Sequence, residues 1–110
     1  MTTYRQFHGE TPISDIGKEL RAIAKREMSD FKILTCYGSS GGQSQSKNAA
    51  IKSLSKMKRE GLIKGFLPGE VMTQALPTTS PYRETKLAYD SQIKKDSDYG
   101  NDGIIFIFMK

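Results

Sequence analysis

The side chains best suited to chemistry in this sequence are amide and cationic groups repeated at helical spacing. Gln45, Asn48, Lys52, Lys56 and Arg59 recur at steps of three and four residues, so a helix would carry them on one face. Asn and Gln can read adenine, Arg can read guanine, and lysines meet phosphate. Lys47 and Lys64 belong to the same basic stretch. A second set lies just ahead of it. Ser39, Ser40, Gly41, Gly42 and Ser44 follow a short apolar run and lead into the same helix. Small residues at such a junction present free backbone N–H groups to an anion.

The other reactive groups are few. His8 and Cys36 are the only histidine and cysteine. A Cys–His nucleophile would need neighbouring strands to bring them together, and a lone cysteine in an apolar run is far more often part of a core. Asp96, Asp98, Asn101 and Asp102 have a spacing like the opening of a calcium loop. Counted from Asp96, however, the fifth, sixth and last positions are Gly100, Asn101 and Ile107, where an oxygen ligand, a glycine and a glutamate are required. The stretch reads as a polar turn. No metal, cofactor or catalytic constellation is expected, and hence no enzyme.

Two local resemblances bear on these sets. ILTCYGSSGGQS, residues 33–44, looks like the phosphate loop of flavodoxins, with a strand, a Tyr-Gly-Ser start and a run of small hydroxyl residues. That resemblance implies phosphate or nucleotide binding at residues 38–47. It covers about a dozen residues of a chain that has one such unit where a flavodoxin has several, and the loop matches neither GxxxxGK[ST] nor GxGxxG. Ala50, Ile51, Leu54, Met57, Gly61, Leu62 and Ile63 resemble the end of a recognition helix entering the wing of winged-helix DNA-binding domains. The resemblance implies that the apolar residues hold the helix to the core while Gln45, Asn48, Lys52, Lys56 and Arg59 face DNA. Here a strand and a glycine loop replace the helix and tight turn that precede such a recognition helix.

Charge is distributed unevenly. The net charge is +5 over 110 residues. Residues 31–69 hold seven bases (Lys32, Lys47, Lys52, Lys56, Lys58, Arg59, Lys64) and one acid, Glu60, a balance of +6, which leaves −1 for the rest of the chain. This asymmetry favours an anionic partner for one part of the surface. A single cysteine excludes an internal disulfide framework. The start, MTTYRQFHGE, lacks the basic and apolar segments of a secretory signal, and no apolar run approaches membrane-spanning length. A soluble, cytoplasmic protein is expected, with no membrane contact.

The elements that must position these groups follow from periodicity. A strand is expected within residues 2–8, ended by Gly9. Thr11 or Ser14 can cap a helix over 13–29, with Pro12 in its first turn and an apolar stripe of Ile13, Ile16, Leu20, Ile23, Ala24 and Met28. Residues 31–37 read as a strand. The second helix begins near Ser44 or Ser46, buries Ala50, Ile51, Leu54 and Met57, and stops at Gly61. Strands are expected over 62–67 and 71–76, then a loop over 77–83. Leu87, Tyr89, Ser91 and Ile93 alternate as in a strand. The unbroken run at 104–109 belongs in the middle of a sheet, in a hairpin with 85–94. The chain reads as a single α+β domain over residues 1–110, with two helices packed on one face of a mixed or antiparallel sheet of four to six strands.

The function expected is that of a small non-enzymatic binding protein whose basic helix and loop hold nucleic acid, with Tyr37 and Phe66 as stacking groups. A protein-interaction module with an acidic partner is the alternative, and phosphate or nucleotide binding at the 38–47 loop is the third reading.

Overall fold

The chain folds around its last apolar run. In the computed structural model, which describes residues 1–35 and 45–109, strand β4 (Ile104–Phe108) lies inside a four-stranded sheet. The other strands are β1 (Thr2–Tyr4), β2 (Phe31–Leu34) and β3 (Gly65–Pro68), and the order across the sheet is β1-β2-β4-β3. β1 runs parallel to β2, whereas β4 is antiparallel to both β2 and β3. The sheet is therefore mixed, within the expected strand count. Among the described residues three α-helices accompany it: α1 (Ile16–Arg26), α2 (Gln45–Arg59) and α3 (Arg83–Lys94).

β4 buries every side chain because the pleat sends alternate residues to opposite faces. Ile105 and Ile107 join a cluster with Ile16, Leu20 and Ile23 of α1 and with Ala50, Leu54 and Met57 of α2. Ile104, Phe106 and Phe108 join a second cluster with Leu67, Met72 and Ile93. The expectation of two helices misses α3, which contributes Ile93 to that second cluster.

α3 also overturns the expected strand over 87–93 and its hairpin with β4. Thr85 and Ile93 are buried and Tyr89 is half-buried, at steps of four, while Leu87 is 66% exposed. That is the face of a helix, and the segment is rich in Glu, Lys, Leu, Ala and Gln, which favour helix. The apparent alternation sampled two faces of it. The Tyr89 ring stacks on Phe108 at 3.9 Å and 6°.

Other boundaries move for local reasons. β1 stops at Tyr4, and Phe7 enters the core from a turn rather than a strand. In that turn the Thr11 backbone N–H and hydroxyl both donate to the Gln6 carbonyl, at 2.9 Å each. α1 ends at Arg26 because Glu27 is already extended, so Met28 leaves the expected stripe and is 81% exposed. Ile13 lies in a 3-10 turn, Ile13–Asp15, and is exposed too.

The expected strand 71–76 is replaced by a 3-10 turn, Gly69–Val71, followed by further turns. Gly69 sits so close to the chain before β4 that a Cβ would lie 1.9 Å from the Asn101 carbonyl oxygen and 2.9 Å from that of Ile104. Both obstacles are backbone and cannot rotate away. Gly69→Ala is expected to cost about 3 kcal/mol, the upper end for overpacking, and to lower Tm by roughly 10–15 °C, read by thermal denaturation. Among the described residues no helix is long and apolar enough to cross a membrane.

Candidate nucleic-acid interface

α2 presents two unlike faces. Ala50, Leu54 and Met57 are fully buried and Ile51 is half-buried against the same cluster. On the opposite side Gln45, Asn48, Lys52, Lys56 and Arg59 are all exposed. These five therefore come together as the spacing requires. The helix end is well determined. The Leu62 N–H donates to the Met57 carbonyl at 3.0 Å, and the Gly61 N–H donates to that of Lys58 at 3.1 Å. Gly61 has φ +79°. This is a Schellman ending, in which the left-handed residue is glycine because it has no Cβ. Lys56, Lys58 and Arg59 occupy the last turn, where cations complement the carbonyl end of the helix.

The seven bases of the stretch do not share one fate. Lys47 is 2% exposed. Its ammonium pairs with the Glu70 carboxylate and donates to the Asp102 carbonyl at 2.6 Å. Lys47 therefore leaves the expected interface. The reason was readable: it stands three residues before Ala50 and seven before Leu54, on the buried stripe. Lys32 is buried in β2 and lies 2.6 Å from Asp96 and 2.7 Å from Asp98. Glu60, the one acid, receives a forked contact from Arg21 of α1 at 2.5 and 3.2 Å.

Lys52, Lys56, Lys58, Arg59 and Lys64 remain exposed. The ion pairs among the described residues draw on Arg21, Lys32, Lys47 and Lys94 and on none of these five. The wing that the winged-helix resemblance implies is absent: β3 pairs with β4, and residues 71–76 form no strand.

The proposed anion loop, Ser39, Ser40, Gly41, Gly42 and Ser44, lies outside the described residues, as do Cys36 and Tyr37. His8 is exposed. Phe66, expected as a stacking group, is 5% exposed and meets Tyr82 edge-on at 5.6 Å and 79°. Lys58 and Tyr82 are the residues near the basic face that spacing did not single out. Lys58 falls off the five-residue series, and Tyr82 is brought in by α3, a helix read as a strand.

The acidic stretch does the work of a turn. The Asp98 N–H donates to Asp96 Oδ1 and the Gly103 N–H donates to Asn101 Oδ1, each at 2.9 Å. Among the described residues no group of histidine, cysteine or carboxylate side chains is arranged to hold a metal. Burial alone would push the Asp96 carboxyl up. The Lys32 hydrogen bond, the Asp98 N–H and the Lys32 charge outweigh burial and hold it below the ordinary value of 3.8. Burial likewise opposes the charged form of Lys32, and its bonds to Asp96 and Asp98 overcome that and raise it above 10.5.

A depressed carboxyl contributes stability above its unfolded value and loses it as pH falls through the folded one. A raised lysine contributes below its unfolded value and loses it as pH rises through the folded one. The pair thus supports the fold between the two limits. Denaturant midpoints are expected to hold level from about pH 5 to 9 and to fall below about pH 4. In Lys32→Met, Asp96→Asn, Asp98→Asn the acid decline should be shallower.

No protein-family model, curated protein or solved structure matches the chain.

Proposed function

We propose that this protein is a small non-enzymatic binding protein that holds nucleic acid against the outer face of α2. The observation that carries this reading is the set of five exposed cations, Lys52, Lys56, Lys58, Arg59 and Lys64, which the ion pairs among the described residues leave unused. Gln45 and Asn48 add hydrogen-bonding groups on the same helix face. The five cations supply affinity through phosphate, and the two amides supply the means to discriminate bases.

The test is a fluorescence-anisotropy titration of labelled single- and double-stranded DNA and RNA at two salt concentrations. If all five cations meet phosphate, log K should fall with log salt at a slope of about −3.5 to −4.5. Absence of binding at low salt would sink this reading. An acidic protein surface would then become the partner to seek.

A further inference from the structure

We infer that the cleft between α2 and the turn ahead of α3 takes one unpaired base of a single-stranded nucleic acid, an assignment that rests on the reading of the α2 face given above. The cleft is lined by Ser55 and Lys58 of α2, Phe66 of β3, and Pro81 and Tyr82 ahead of α3. Its walls are apolar and aromatic, and its α2 side carries a cation. The edge-on contact with Phe66 holds the Tyr82 ring, and the Tyr82 N–H donates to Ser80 Oγ at 3.2 Å, fixing the turn that carries it. Tyr82 is half-buried rather than enclosed, so it retains surface for a flat ligand.

Lys58 also lines the neighbouring groove, together with Lys64, Glu84, Thr85, Ala88 and Tyr89. Two lysines there suit the phosphate of the nucleotide whose base fills the cleft. Glu84 is the one acid among those residues and keeps the phosphate on the α2 side.

An aromatic wall beside lysines is the recognition chemistry of single strands, since every base has a stacking face and a paired base cannot present it. The cleft therefore converts a general attraction for polyanions into a preference for unpaired strands.

The experiment compares a labelled single strand with an abasic strand of equal phosphate count and with the corresponding duplex, at one low salt concentration. The intact protein should bind the base-bearing strand roughly tenfold more tightly than the abasic one, as expected for one stacked base. Tyr82→Leu should abolish that ratio. Tyr82 touches both apolar clusters, so Ser55→Leu, which adds bulk without a stacking face, serves as the second variant. It fills the cleft from a half-exposed helix position and should abolish the ratio in a folded protein. Equal binding of the two strands by the intact protein overturns the cleft assignment while leaving the basic face standing. So does a ratio that survives Ser55→Leu. Failure to bind any of the three overturns both.

Discussion

Lys52→Glu, Lys56→Glu and Arg59→Glu together are expected to lower nucleic-acid affinity by about a thousandfold at low salt. Each phosphate contact contributes roughly tenfold near 50 mM salt through counterion release, so three lost contacts give that product before any repulsion is counted. The salt slope should flatten by about 2 to 3 units for the same reason. Each reversal removes two units of charge, so the whole chain goes from +5 to −1. The fold should survive, because all three side chains are exposed and lie on the side of α2 away from Ala50, Leu54 and Met57. One minor effect is lost: the Arg21 hydrogen bond chiefly holds the Glu60 carboxyl below its ordinary value, and the charges of Lys56 and Arg59 add a smaller part, a surface contribution that is small. Lys18→Glu, Lys25→Glu and Lys95→Glu together, all exposed and outside α2, make the same change and are the control for net charge. A loss in the control as large as in the triple variant would show that the α2 face has no special role. Undiminished binding by a folded triple variant would move the site elsewhere.

Lys32→Ala should be the most damaging single change to stability, at about 3–5 kcal/mol, as for a buried ion pair that loses one partner. The variant would leave Asp96 and Asp98 facing an apolar sheet with the cation between them gone. It would also remove the ammonium lying 5.9 Å from the centre of the Phe106 ring. A domain of this size has roughly 5–15 kcal/mol in total, so the loss is a large share of the whole stability. Lys32→Met with Asp96→Asn and Asp98→Asn should recover much of the loss, because neutral partners incur less desolvation than orphaned charges. Denaturant titration of both variants checks this. A loss under about 1 kcal/mol for Lys32→Ala would mean that the pair behaves like an exposed one.

What could be read from the residues depended on whether one rule acted alone. The run at Ile104–Phe108 had no competing reading, and it is a sheet interior covered on both faces. Gly61 was legible as a helix stop because an amphipathic stripe ended beside it. The five-residue series on α2 was legible because its spacing and polarity agreed. α3 was not, since Leu87, Tyr89, Ser91 and Ile93 satisfy a two-residue alternation while Thr85, Tyr89 and Ile93 satisfy a four-residue one. Length and composition favoured the helix. The charge map was right in sum and wrong in use. Lys32 and Lys47 belong to the basic stretch, yet carboxylates 64 and 23 residues away hold them inside. Pairings over such separations depend on the tertiary fold and leave no local pattern. Because Lys58 and Tyr82 line one cleft from separate parts of the chain, recognising that site required the packing ahead of α3 to be known first.

The sheet order also constrains the timing of assembly. β4 is the last of the four strands along the chain, yet β3 joins the sheet's hydrogen-bond ladder only through it, and the β1–β2 pair reaches β3 only across it. A nascent chain emerging from the ribosome as far as residue 103 would hold β1 against β2 at most, with β3 lacking its partner. The apolar stripes of α1 and α2 would meet no finished sheet. Folding of this domain is therefore expected to wait on β4. Contacts of such long sequence separation close slowly, and the unpaired strands are open to association until they do.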